Sequence, residues 1–165
     1  MPEWVTHVLI GLVLAELLFI PKRSVVLLGA ILPDLFAKLV LLRLFIPIPH
    51  WNYSFLSMAH TPFVLFLVCL LLAPLFRYEY RKIVYWLMVG GLSHIFSDML
   101  LKHYLGGGMA LLFPFSNMKF SLGLFWPDES YLLLYIMILI YLCILFFKYE
   151  RKKGLRAADI GGEGI

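Results

Sequence analysis

The sequence predicts an all-α integral membrane protein, a bundle of about five transmembrane helices with a re-entrant or interfacial outer loop. Three observations carry that reading. The 165-residue chain is 62% hydrophobic and only 15% charged, with a mean hydropathy of +0.91. Its apolar residues gather into five runs, most of them near the roughly 20 residues a helix needs to cross hydrocarbon. Its basic residues fall on one side of those runs, the asymmetry that orients membrane bundles.

The first run, Trp4 to Ile20, is preceded by Glu3 and followed by Lys22 and Arg23. This reverses the charge order of a signal peptide, so the helix is expected to remain attached with its N-terminus outside. The second, Ser24 to Ile46, contains Pro33. A proline within a helix removes one backbone hydrogen bond and crowds the carbonyl four residues back, here Gly29, so a kink is expected beside Asp34. The third run, Thr61 to Phe76, is bounded by Pro62 and Pro74. The fourth, Ile83 to Tyr104, holds the segment GLSHIFSDML, and the fifth is Tyr131 to Phe147.

Alternation from an outside N-terminus places Lys22, Arg23, Arg77, Arg81, Lys82, Lys148, Arg151, Lys152, Lys153 and Arg156 in the cytoplasm, ten of the 14 basic residues. The net charge of +4 therefore reflects topology and gives no reason to expect a nucleic-acid partner. Residues 1–150 are read as one transmembrane domain and 151–165 as a basic, disordered cytoplasmic tail. Between Gly106 and Glu129 the chain is apolar and aromatic yet broken by glycine and proline. Irregular backbone of that kind at membrane depth must be buried in protein or line a cavity, hence the expectation of a lid. Cys69 and Cys143 have no metal-ligand spacing and read as small packing residues.

Polar groups inside such runs are costly and mark function by default. His94 and Asp98, four residues apart, share one helical face. His7 enters the first helix near its outer end, and His60 lies at the outer start of the third. Asp34 is expected deepest, about twelve residues or roughly 18 Å below the outer end of the second helix. These five residues share an outer bias, although the orientation came from lysine and arginine alone. Imidazole and carboxylate together suit borderline cations such as zinc. A carboxylate one turn from a histidine can also fix its tautomer, which gives Asp98 that role toward His94.

Plainer accounts exist for each. Asp34 could pair with Lys38 and Asp98 with Lys102 at i,i+4. His94 could simply bond Asp98, while His7 and His60 could be interfacial. Gly11, Ala30, Gly90 and Gly91 flank the candidates, leaving either close helix contact or room for an ion and substrate. His50 and His103 read as interfacial. Glu16, on the opposite face of the first helix from His7, is left outside the site.

Taken in order, Thr6-His7, LGAILPDL (28–35), AHTP (59–62), GLSHIFSD (91–98) and LLFPFS (111–116) resemble the YdjM family of membrane-bound metal-dependent hydrolases. The ligand pattern is also similar to that of zinc-dependent phospholipase C enzymes. The resemblance implies that His7, Asp34, His60, His94 and Asp98 are metal ligands for one or two ions, zinc foremost. It implies too that Pro114, Phe115 and Ser116 wall the site. Family members often carry a second acidic residue shortly after the Pro-Asp pair, where this chain has Phe36.

The expectation is then a hydrolase of a lipid or lipid-linked phosphoester facing the extracytoplasmic side. The metal would acidify a water, and Asp34 or Asp98 would take its proton. No GxSxG, Walker or Rossmann glycine pattern points to other chemistry. The alternative is a small proton or metal-ion carrier using the same cluster, and a third reading is an adaptor that uses the basic tail.

Overall fold

Apolar runs become helices where capping residues permit, and five α-helices are present among the described residues. A computed structural model describes residues 4–38, 60–102 and 108–162, with side chains throughout except in 36–38 and 154–162. Helix α1 spans Trp4–Leu17. It closes with the Ile20 amide donating to the Ala15 carbonyl at 2.9 Å, Phe19 standing in the left-handed region at φ 53. Pro21 then bars continuation. Helix α2, Arg23–Lys38, runs through Pro33 as one continuous element. Helix α3, Pro62–Leu72, begins where Thr61 Oγ1 accepts the Val64 amide at 3.4 Å and a proline occupies the first turn. It ends in a 3₁₀ turn, Ala73–Leu75, built on Pro74. Helix α4 is Tyr80–Met99 and helix α5 is Ser130–Gly162.

The centre of the bundle is the crossing of α2 and α4. A β-carbon on Gly90 would collide with the Val26 carbonyl, and one on Gly29 with the Leu87 carbonyl. The two backbones therefore touch directly, which settles the small-residue pattern in favour of close helix contact at these positions. Val26, Leu87, Ile83, Leu65 and Cys69 pack around this contact as the buried core. Cys69 is a buried packing residue, whereas Cys143 is exposed on α5.

Successive helices alternate in direction, and the two ends of the bundle differ in chemistry. Glu16, near the end of α1, pairs with Arg23 at 2.8 Å and with Lys148 of α5. The Lys22 ammonium lies 4.8 Å from the centre of the Tyr78 ring, joining the α1–α2 and α3–α4 turns. All five candidate ligands sit at the opposite end.

The segment after α4 solves a backbone problem. The last carbonyls of a helix lack internal donors. Here the Leu122 amide donates to Met99 at 2.8 Å, and the Leu124 and Phe125 amides donate to Leu100 at 2.7 and 3.1 Å. Ser121 Oγ donates to the Leu101 carbonyl at 3.0 Å. Met109 and Phe120 exchange a pair of backbone hydrogen bonds, closing the loop on itself. Its outer surface is apolar, with Phe115 85% and Leu124 61% exposed.

Of the five helices, the stretch Pro127–Lys153 alone is both long and apolar enough to cross a membrane; its mean hydropathy is 2.6, and 6% of that window is buried. Helix α1 and the segment Pro62–Leu75 are apolar but shorter, and α4 has the length but carries Arg81, Lys82, His94 and Asp98. The expected continuation of α2 to Ile46 lies outside the described residues, as do His50, His103 and residues 163–165. Helix α5 continues through the basic segment to Gly162, in keeping with its Lys, Arg and Ala content.

A methyl group added at Gly90 must displace backbone, while one at Gly91 meets only the flexible Leu65 side chain. Gly90→Ala is expected to lower stability by about 1–3 kcal/mol, the usual cost of overpacking, and Gly91→Ala by clearly less. Thermal unfolding in detergent checks the order, and equal losses would remove the backbone contact from the account.

Candidate metal centre

Four elements deliver the five side chains to one place. The first turns of α1 carry His7, and α2 carries Asp34 past the glycine crossing. Thr61 caps α3 and so holds His60 just before its first turn. The last two turns of α4 present His94 and Asp98. Asp34 is level with the start of α3, since its Oδ1 lies 3.5 Å from His60 Nε2. The greater depth expected for it rested on a longer α2 than the described residues contain.

All five are buried, His60 being the most accessible at 9%. Asp98 faces three imidazoles: His7 Nε2 at 3.5 Å, His94 Nε2 at 3.4 Å and His60 Nε2 at 3.8 Å. Asp34 Oδ1 faces His60 and also His94, whose Nε2 is 3.7 Å away. The His7 and His94 rings stack with centroids 3.7 Å apart and planes 17° apart.

The hydrogen bonds fix the tautomers of those two rings. His94 Nδ1 is 2.6 Å from the Ala30 carbonyl, which can only accept, so Nδ1 carries the proton. Ser97 Oγ donates to the His94 carbonyl at 2.8 Å and accepts from His7 Nδ1 at 2.8 Å. Both Nε2 atoms are left as lone pairs aimed at carboxylates. Lone pair against carboxylate is repulsive unless a proton or a metal cation lies between.

The remaining bonding inventory points the same way. His7 Nε2, His60 Nε2, His94 Nε2, Asp34 Oδ1 and Asp98 Oδ1 are all buried without a hydrogen-bond partner. Buried polar atoms are rarely orphaned, and a metal ion among these five could satisfy them together. His7, His94 and Asp98 form one triad and Asp34, His60 and His94 another, each with ligand atoms within 4.8 Å of one another. Ligands about 2.0–2.2 Å from a tetrahedral zinc stand about 3.3–3.6 Å apart, close to the separations found here. With neutral imidazoles the two carboxylates contribute a charge of −2, which a divalent cation cancels.

The structure thus brings His7, Asp34, His60, His94 and Asp98 together. The alternative partner of Asp98 is engaged elsewhere, as Lys102 stands 4.8 Å from the centre of the Trp126 ring. The side chain of Lys38 lies outside the described residues. Of the Pro114-Phe115-Ser116 loop, Phe115 packs edge-on against Phe63, in the first turn of α3, at 5.8 Å. Ser97 and the Ala30 carbonyl were missed. The tautomer-fixing role expected of Asp98 toward His94 belongs to Ala30, and Ser97, three residues after His94 on the same face, was the available signal for His7.

A membrane-type helical bundle with a buried imidazole–carboxylate cluster able to hold a metal ion is the class that fold and site define. The chain belongs to the YdjM inner membrane protein family, whose description as YdjM inner membrane protein matches residues 1–158. No curated protein and no solved structure matches it.

Because Ser97 orients His7, Ser97→Ala is expected to weaken zinc binding about 10–100-fold, the range for losing a partner behind a ligand. Ser97→Thr, which keeps the hydroxyl, should retain most of the affinity. Competitive titration against a chromophoric chelator measures both, and an unchanged affinity in Ser97→Ala would refute the role.

Proposed function

We propose that the chain is a membrane-embedded metal-dependent hydrolase acting on a lipid or lipid-linked phosphoester. The observation that carries this reading is the set of five buried, unpartnered ligand atoms gathered at one end of an apolar bundle. Zinc is the cation of choice for such a donor set. One ion per chain is favoured, since the two triads share His94, and a neutral imidazole has a single free lone pair. A divalent cation held there supplies an electrophile and acidifies water, the basis of metal-assisted hydrolysis.

The residues divide the work by their surroundings. Asp98, in reach of all three imidazoles, is placed as a ligand together with His7, His60 and His94. Asp34 faces only two and is the freer carboxylate, suited to accept a proton at Oδ1 as general base, with Asp98 second in that role. Access falls on the His60 side, beside Phe63 and the exposed Phe115. An apolar approach of that kind suits an amphiphile better than a soluble metabolite.

The membrane arrangement belongs to the same proposal. All five helices span, the short ones with local thinning of the bilayer and with the 108–126 loop lying at membrane depth. Helix α1, with 14 residues, covers about 21 Å at 1.5 Å per residue, against roughly 30 Å of hydrocarbon. The clustering of basic residues opposite the site supports a cytoplasmic C-terminus and an outward-facing site. A carrier would need polar groups continuing to the other end. Glu16, the buried acid there, is taken up by Arg23 and Lys148, which favours the hydrolase.

Asp34→Asn keeps size and polarity but removes the basic carboxylate, so turnover should fall at least about 10²-fold. The assay presents a panel of lipid and lipid-linked phosphoesters to right-side-out vesicles and follows water-soluble headgroup released outside. Metal or proton flux abolished by the same substitution, with no headgroup released from any ester, would establish the carrier instead.

A further inference from the structure

At the end of the bundle remote from the His/Asp cluster, an open groove lies between the α1–α2 turn and the start of α4. Pro21, Tyr78, Glu79, Lys82, Tyr85 and Trp86 line it. The hydrolase reading makes no use of it. Trp86 is the most deeply buried of its aromatics at 8% exposure, while Tyr78 and Tyr85 are each about half exposed.

The charges on its rim are unequally committed. Lys82 Nζ stands 2.6 Å from Glu79 Oε2, so the two charges cancel and a bound phosphate would share the Lys82 ammonium with Glu79. Arg23 is engaged by the buried carboxylate of Glu16. Lys22 rests its ammonium on the face of Tyr78, which attracts a cation without cancelling its charge. Arg77 and Arg81, both exposed, flank the same turn. The groove therefore joins an apolar aromatic interior to a rim of net positive charge.

We propose that this groove binds one anionic phospholipid. Its phosphate sits by Lys22 and Lys82, and the start of its acyl chains lies against Tyr85 and Trp86. A soluble anion would gain nothing from the aromatic wall, and a zwitterionic lipid would bring a second cation to a rim that is already positive. Leu71, in the last turn of α3, and Leu75, in the 3₁₀ turn that leads to Tyr78, are exposed apolar residues at the same end of the bundle. Basic pockets at membrane surfaces select anionic headgroups in this way, and tyrosine and tryptophan belong at that depth. The proposal does not depend on the metal centre, and neither fails with the other.

Native mass spectrometry of the full chain in detergent tests it, with phosphatidylglycerol and phosphatidylcholine of identical acyl chains supplied at equal concentration. Wild type is expected to retain one phosphatidylglycerol at least about five-fold over phosphatidylcholine, the effect of roughly one lysine near a headgroup. The double variant Lys22→Gln/Lys82→Gln should lose the preference, whereas Arg151→Gln/Lys152→Gln on α5 should keep it. Excess inorganic phosphate should leave the bound lipid in place. Equal retention of both lipids by wild type overturns the proposal, whether or not the variants fold. A preference that survives in the groove variant, or vanishes in the α5 variant, makes the attraction diffuse and overturns it too. Displacement by phosphate would mean an anion site without a lipid.

Discussion

The direct contact of the α2 and α4 backbones is the constraint on which the rest of the structure depends. It exists because residues 29 and 90 carry no side chain. Once the two helices meet there, the Ala30 carbonyl comes within 2.6 Å of His94 Nδ1, and Asp34 comes level with Asp98. The same crossing sets the tautomer of His94 and thereby aims its Nε2 at the two carboxylates. Close packing and ligand geometry are thus one feature. A wedge between these helices would disturb the cluster several residues away without touching any ligand.

The bundle keeps its charges at two ends and treats them differently. At one end, Glu16 is buried but surrounded by Arg23 and Lys148, a carboxylate whose charge is answered within the protein. Breaking such a group away from its partners costs far more than the pair contributes, so α5 is held to α1 by a contact that is hard to lose. At the other end, two carboxylates and three imidazoles have their lone pairs turned inward with no such answer among the described residues. Similar residue types therefore serve opposite purposes. The difference lies in whether the charge is answered by a basic side chain or left open to an ion the cluster could hold.

The five residues of the cluster stood out in the sequence because a carboxylate or imidazole within an apolar run has few reasons to be there. Helical spacing also joined His94 to Asp98 without any knowledge of the fold. Thr61 and Pro62 announced the start of α3 and hence the position of His60. Other features could not be read. Ser97 looks like any small helical residue until His7 is seen beside it, and that contact joins residues 90 apart in sequence. Glu16 was set aside as lying on the wrong face for the site, which it does, but its burial against Lys148 depends on how α5 packs. The small residues left close packing and ligand room equally open, and only the crossing decides between them. The loop after α4 reads as irregular and apolar; that its amides satisfy the helix's last carbonyls is a matter of register, which composition does not carry.

The central proposal is that His7, His60, His94 and Asp98 hold one divalent ion, with Asp34 beside it as the free carboxylate. X-ray absorption at the zinc edge of the purified, zinc-loaded chain tests it most directly. The account predicts one zinc per chain with a nitrogen and oxygen shell at about 2.0–2.2 Å, and outer-shell scattering from at least two imidazoles. A chain that binds no zinc, or a spectrum lacking imidazole scattering, would contradict it.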